Sequence, residues 1–412
     1  MKIEDFKNKK VTIFGLGVLG GGVGAAEFFA RAGAKVTVTD IKKEEELKES
    51  AKKLKKYKIN FVLGKHRKED FINADIVIKG PGIPNNSPYL QIAKANKVKI
   101  DTDVGIFFEL CKNPIIGVTG SKGKSTTAAI LYEVLKKKYK NTLLGGNIGV
   151  SVLSLIPKIK KDSILVLELS SWQLEGLLPH KKSPHIAIIT NIFPEHLNRY
   201  KNFEDYIEAK KIIFKFQKKD DYLILNENLK EYLSSAKSKI IYYDGNPNKV
   251  AEIVGAIYKV KPKDIQKAIK DFKGLQGRLE FLREVDGVMF FNDTCATHPE
   301  ATIYSLEKLK KEYVDSDIIL IAGGQDKNLD FSRFNEIVPQ KVKQLILLPG
   351  DIEEKIKVKF IKVNGMKEAV KKAKEIATKG DIVLLSPAAA SFNLFKNEFD
   401  RGEKFKEAVN EI

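Results

Sequence analysis

Two glycine-rich segments and a few charged side chains carry the chemistry legible in this sequence. Thr119-Gly120-Ser121-Lys122-Gly123-Lys124-Ser125-Thr126-Thr127 follows an apolar run and opens the helical pattern AAILYEVLKK. Its glycines are three apart, which departs from the strict P-loop spacing. The parts needed to hold a polyphosphate are all present. Backbone N–H groups gather at a helix start, Lys124 can meet β and γ oxygens, and Ser125 can ligate Mg²⁺. A lysine-rich helix cap without a ligand is the plainer alternative, and a strand directly before the loop speaks against it. Gly15-Leu16-Gly17-Val18-Leu19-Gly20 likewise joins a strand pattern to a helix pattern, and Asp40 lies at the end of the next strand. This matches the dinucleotide fingerprint in its context: a tight turn, close backbone approach to a diphosphate, and a helix N-terminus facing negative charge. Alone it separates NAD neither from another nucleoside diphosphate nor from a ligand-free turn. Two such loops argue against a simple dehydrogenase and suggest one site for ATP and another for a nucleotide-linked substrate.

Glu168 ends the apolar run SILVLEL, where an uncompensated carboxylate is costly and a partner is expected. Mg²⁺ beside the phosphates would serve. His196, in NIFPEHLNRY, follows another run; a lone histidine in such a place is more often structural than a ligand.

These residues need a scaffold, and the rest of the chain supplies its pattern. Apolar runs VTIFGLG (11–17), KVTVTD (35–40), DIVIKGPG (75–82), IIGVTGS (115–121), SILVLELSS (163–171), HIAIITN (185–191), YLILN (222–226), VMFFND (288–293), DIILIAGG (317–324), QLILLPG (344–350) and DIVLLSPAAA (381–390) alternate with amphipathic lysine-rich segments. Short runs rich in Val, Ile and Leu predict buried parallel strands, and the intervening helices predict βαβ crossovers in open α/β sheets. The polar residues cluster after the strands' carboxyl ends, where open sheets bind ligands. Three α/β domains are expected: 1–102, Rossmann-like; 103–274, a P-loop-type ATPase domain with a parallel sheet; and 275–412, Rossmann-like.

Composition narrows the function classes. The chain has 412 residues, 43% hydrophobic and 30% charged, which excludes a disordered, fibrous or membrane-embedded protein. Its two cysteines, Cys111 and Cys295, exclude a disulfide framework and fit a reducing compartment. The net charge of +19 invites a nucleic-acid reading, but only seven of the 72 basic residues are arginine and the lysines are scattered. Lysine-rich solvated helix faces explain the charge better, because base and phosphate readout favours arginine. No stretch has the length of a membrane span. The expectation is a soluble, cytoplasmic monomer with no nucleic-acid partner.

In chain order the sequence then presents TGSKGKSTT, GGNIG (145–149), LELSSWQLE (167–175), TNIFPEHLNRY (190–200), EAK (208–210), GRLEF (277–281), NDTCATHPEAT (292–302), GGQDK (323–327) and LLSPAAASFNLFKNEFDRG (384–402). Together these resemble the Mur ligase family of cell-wall synthesis over nearly the whole chain. The ATP loop is shared with folylpolyglutamate ligases, whereas the NDT-AT and SPAAASF-FKN-RG segments resemble the D-glutamate-adding branch. The resemblance implies an ATP-dependent amide ligase that adds D-glutamate to UDP-N-acetylmuramoyl-L-alanine through an acyl phosphate. It implies that Gly120, Ser121, Lys122, Gly123, Lys124, Ser125, Thr126, Asn248, Arg278 and Asp293 bind ATP. Gly15, Gly17, Val18, Leu19, Asp40, Gly82 and Asn147 would serve the UDP-linked substrate. Thr297, Lys327, Ser391 and Phe392 would hold D-glutamate. Two Mg²⁺ ions would use Ser125, Glu168, His196 and Lys210, with Lys210 carbamylated by CO₂; Lys124, His196 and Lys210 would be the catalytic set. Closure of the last domain on ATP is implied as well. The chain departs from the family pattern at Cys295, where lysine is common, at Glu398 before Phe399, at Pro247-Asn248-Lys249-Val250-Ala251, and at Gly80-Pro81-Gly82. A sister ligase with another acceptor, for example L-glutamate, and a non-catalytic nucleotide-binding protein are the alternatives.

Overall fold

The computed structural model describes residues 1–18, 20–194, 199–231, 236–326, 329–391 and 394–412. Three sheets follow one another along the chain. The first contains β1 (Lys10–Phe14), β2 (Lys35–Asp40), β3 (Ile59–Leu63), β4 (Ile76–Lys79) and β5 (Lys99–Asp101), in the order β3-β2-β1-β4-β5. The second contains β6 (Ile115–Thr119), β7 (Leu143–Gly146), β8 (Leu165–Glu168), β9 (Ile186–Ile189), β10 (Tyr222–Asn226) and β11 (Lys239–Tyr243), in the order β11-β10-β9-β6-β8-β7. Every pair in these two sheets is parallel. The third contains β12 (Glu280–Val285), β13 (Val288–Asn292), β14 (Ile318–Gly323), β15 (Gln344–Leu348), β16 (Phe360–Lys362) and β17 (Ile382–Leu385), in the order β12-β13-β17-β14-β15-β16. It is mixed: β12 and β13 form an antiparallel hairpin, and the remaining pairs are parallel.

The reason for this architecture lies in where the apolar residues stand. Central strands such as β9 (IAII) and β17 (IVLL) are buried along their whole length, as strands covered on both faces must be. Helices with one apolar stripe do the covering; in Lys124–Lys136, for example, Ala128, Leu131 and Leu135 face the core. The chain divides into two compact units, Met1–Phe272 and Lys273–Ile412. The first two sheets share the first unit. Inside it, helix Gly21–Arg31 lies so close to the segment Val152–Lys158 that a Cβ at Gly24 would stand 2.3 Å from the Ser151 Cβ. Among the described residues, no helix is long and apolar enough to cross a membrane.

Each unit directs its loops from strand carboxyl ends. In the first sheet the chain leaves β1 for β2 on one side and later returns to β4 on the other, so the β1 and β4 ends flank a topological switch point. In the second sheet β6 lies between β8 and β9, which brings the ends of three parallel strands together.

Candidate active site

The second glycine loop leaves β6 and enters helix Lys124–Lys136, as its sequence implied. Gly120 has φ 147°, and a Cβ there would stand 2.0 Å from the Thr190 hydroxyl oxygen. Only glycine suits that backbone and that approach. The loop is braced from the end of β9. Ser121 N–H donates to the Asn191 carbonyl at 2.9 Å, Lys122 N–H to Asn191 Oδ1 at 2.7 Å, and Asn191 Nδ2 returns to the Lys122 carbonyl at 3.1 Å. The buried Ser121 hydroxyl accepts from Phe193 N–H at 2.9 Å and lies 3.1 Å from the Tyr206 hydroxyl. Gly123 caps the helix in the left-handed conformation at φ 79°. Ser125 is buried in the first turn and Thr126 is half-buried.

Two lysines converge on this loop. Lys124 Nζ donates to the carbonyls of Gly120 and Ser121 at 2.9 and 2.8 Å. Lys210, on helix Phe203–Lys215, is 1% exposed and donates to the same Gly120 carbonyl at 2.9 Å. Its ammonium also sits 4.5 Å from the Tyr206 ring centroid, a favourable place for a cation. The motif lysine is therefore no surface lysine.

Glu168 stands beside the loop because β8 pairs with β6, placing Glu168 in register with Val118. Its side chain is 1% exposed. Oε1 accepts from Asn147 Nδ2 at 2.9 Å, while Oε2 has no hydrogen-bond partner. A buried carboxylate oxygen left without a donor suits an oxygen-ligated divalent cation. Among the described residues no three His, Cys, Asp or Glu side chains form a metal cluster; Mg²⁺ on a nucleotide commonly uses only one or two protein carboxylates. His196 lies outside the described residues. Asn147, expected to touch the substrate arm, is exposed, and its side-chain amide orients the carboxylate.

The first glycine loop is held by its own acid. Asp40 Oδ2 accepts from Leu16 N–H and Gly17 N–H at 2.8 and 3.0 Å, and Oδ1 accepts from Lys42 N–H at 3.0 Å. Asp40 thus shapes the loop through these amides, a role the fingerprint alone does not separate from ligand contact. Val18 and Gly82 are exposed at the loop ends. Leu19 lies outside the described residues. A Cβ on Gly20 would come within 3.5 Å of the Gly149 carbonyl, so the first loop and the GGNIG segment are neighbours in the first unit.

The remaining expected ATP and amino-acid contacts divide between the units. Asn248 is half-buried in the first turn of helix Pro247–Ile257. In the second unit Arg278 is exposed. Asp293, at the end of β13, is 5% exposed; it accepts from Leu279 N–H at 3.1 Å and from the hydroxyls of Ser305 and Ser386 at 2.6 and 2.8 Å. Its carboxylate therefore ties strand ends together. Thr297 is half-buried and Ser391 buried; Lys327 and Phe392 lie outside the described residues.

Arg401 lies in the LLSPAAASFNLFKNEFDRG segment, and the structure gives it a role. It is 0% exposed. Nε donates to Thr294 Oγ1 at 3.1 Å, Nη2 to the Thr294 carbonyl at 2.9 Å, and Nη1 to the Ala389 and Gly323 carbonyls at 3.1 and 3.4 Å. The guanidinium so joins the ends of β13, β17 and β14. Burial pushes its pKa down to about 10, and burial also raises the nearby Cys295 thiol.

Comparison with known proteins now decides the family. The sequence matches the Mur ligase MurD-like N-terminal domain over residues 9–102, the Mur ligase middle domain over 118–281, and the Mur ligase glutamate ligase domain over 277–389. It is 40% identical to the UDP-N-acetylmuramoylalanine--D-glutamate ligase of Borreliella burgdorferi strain ZS7, covering 100% of both chains. The chain belongs to the Mur ligase family. A relative of the same name from Roseiflexus sp. strain RS-1 is 37% identical to this Mur ligase, over 97% of this chain and 98% of that one. The fold also resembles that of the UDP-N-acetylmuramate-alanine ligase MurC of Thermotoga maritima, with TM-score 0.61 and 16% identity over 98% of this chain and 100% of that one. MurF of Thermotoga maritima in complex with ADP gives TM-score 0.60 and 19% identity over 92% and 95%. The expected α/β fold of this Mur ligase, with three sheets, is thereby borne out.

Proposed function

We propose that this Mur ligase joins D-glutamate to the alanyl carboxylate of UDP-N-acetylmuramoyl-L-alanine with consumption of ATP, in the cytoplasmic stage of peptidoglycan precursor synthesis. The observation that carries the reading is the meeting of Lys124 and Lys210 on the Gly120 carbonyl, one strand away from Glu168 with its unpartnered oxygen. The names of the full-length relatives support the choice of substrates.

A carboxylate is a poor electrophile, so the alanyl carboxylate oxygen attacks the γ-phosphorus and ADP departs. The glutamate amine attacks the acyl phosphate carbon, loses a proton, and expels phosphate to leave the amide. Loop N–H groups and Lys124 hold the phosphates in line and meet the charge that gathers on the transferring oxygens. Ser125, Glu168 and His196 would hold Mg²⁺, which when bound neutralises phosphate charge. Asn147 keeps the Glu168 carboxylate aimed.

Lys210 is proposed to react with CO₂, giving a carbamate whose negative charge suits a cation site. The test is chemical rescue: Lys210→Ala is expected to be inactive and to recover partly with acetate. An active variant indifferent to acetate would count against the carbamate. The activity itself is tested with an acceptor panel of D-glutamate, L-glutamate, L-alanine and meso-diaminopimelate, measuring phosphate release and product mass. D-glutamate should give the UDP-linked amide product. Release with another acceptor alone would reassign the enzyme to a sister activity, and no release with any would remove the ligase reading.

A further inference from the structure

Lys79 ends β4, in register with Phe14, the last residue of β1 before the first glycine loop. The pair therefore stands at the switch point of the first sheet, where open α/β sheets take their ligands. The Lys79 side chain is 6% exposed and donates to Asn85 Oδ1 at 2.6 Å. Among the described residues no carboxylate lies within ion-pair distance of it. Glu175, the acid of the surrounding network, is shared by Asn85 Nδ2 at 3.1 Å, Arg199 Nη2 at 3.4 Å and the Tyr200 hydroxyl at 2.8 Å. Arg199 in turn donates to the Pro81 carbonyl at 2.7 Å and lies 4.5 Å from the Trp172 ring centroid. Burial, and then the charge of Arg199, hold the Lys79 pKa below the ordinary lysine value, with Glu175 offsetting in part.

A buried ammonium facing a single neutral amide is an incomplete pairing, since buried cations are ordinarily matched by an anion. Its one acceptor, Asn85, is on an exposed loop, so that amide oxygen can give way. We propose that Lys79 is a phosphate-binding residue of the nucleotide-substrate pocket, taking an anionic oxygen of the UDP moiety in place of the Asn85 amide. This rests on the substrate proposed above. It also gives a chemical sense to Gly80-Pro81-Gly82, where the side chain after Lys79 is absent: a Cβ on Gly80 would stand 3.0 Å from the Phe14 carbonyl, and the charge is supplied by the preceding residue.

The test is calorimetric titration of UDP, uridine and a nonhydrolysable ATP analogue into wild type, Lys79→Met and Lys79→Gln. Lys79 is paired with a neutral amide, so neither substitution strands an unpaired buried charge, and both variants should keep the wild-type Tm. UDP affinity should fall roughly 10- to 100-fold in both, with uridine and the ATP analogue unaffected. UDP binding equal in all three proteins, absent from wild type, or lost together with the ATP analogue and Tm would overturn the inference. If UDP binding depends on Lys79 yet no acceptor yields product, the phosphate role stands and the ligase reading falls.

Discussion

Lys124 and Glu168 illustrate two ways in which one side chain can carry function. Lys124 is held by the carbonyls of its own loop, so its ammonium is already in place for a phosphate. Lys124→Ala is expected to lower kcat by roughly 10²-fold or more, about 3 kcal/mol of transition-state stabilisation, and steady-state kinetics at saturating ATP will read it. Glu168 is the opposite case, because burial of an oxygen without a donor is a cost in the folded protein. Glu168→Gln should leave Tm unchanged or higher while raising the Mg²⁺ concentration for half-maximal activity about tenfold or more. A fall in Tm with an unchanged Mg²⁺ requirement would mean the carboxylate serves only the fold. Both residues were legible because their neighbours in sequence declare them: Gly-Lys-Ser at a helix start, and an acid ending an apolar run. The loop-tying roles of Asp40, Asp293 and Arg401 were less so. Their hydrogen bonds to distant loops leave no local pattern, since spacing along the chain cannot report a partner tens of residues away.

At the scale of elements, what the sequence revealed and what it hid follow burial. The apolar runs cover the interior strands of all three sheets. The strands outside those runs are β3, β5, β7, β11, β12 and β16, and these are the six sheet edges. Edge strands have one hydrogen-bonding side open, and here they are short or carry lysine and other polar residues, as in KIIYY, EFLREV and FIK. Their pattern is therefore diluted. The β12–β13 hairpin did leave a signal, Asp286-Gly287, with φ of 51° and 79°, the turn chemistry a tight hairpin demands. The phosphate loop depends on Gly120 in the same backbone sense. Gly120→Ala would force the Cβ onto the Thr190 hydroxyl and should cost about 2 kcal/mol or more of stability, measured by urea denaturation, together with ATP-analogue binding. Stability and binding equal to wild type would show that the loop can re-form around a side chain.

For the molecule as a whole, the first unit is joined across its two sheets by a charged clasp. His180 Nε2 lies 2.7 Å from Asp101 Oδ1, at the end of β5, and Nδ1 lies 3.2 Å from Glu109 Oε1 on helix Asp103–Leu110. The Asp101 hydrogen bond, against the opposing effect of burial and with help from Glu109, raises the histidine pKa. A raised folded value means that this stabilisation is complete below about pH 6.5, the unfolded value, and is lost as pH rises through the folded one. The Tm advantage of wild type over His180→Gln should therefore be largest near pH 5.5 and shrink toward pH 9. A pH-independent difference would assign the clasp to packing. Asp103, buried in the first turn of the helix that carries Glu109 and with a pKa raised to about 6 by burial, titrates in the same direction and should be replaced by asparagine in both proteins as a control.

In the second unit Arg401 ties strand ends together. One planar cation reaches three strand ends at once, and a flexible point charge such as lysine offers no such fork. The ends of β13, β14 and β17 are consequently locked as an arch is by its keystone: none of the three can drift alone without stretching bonds to the other two.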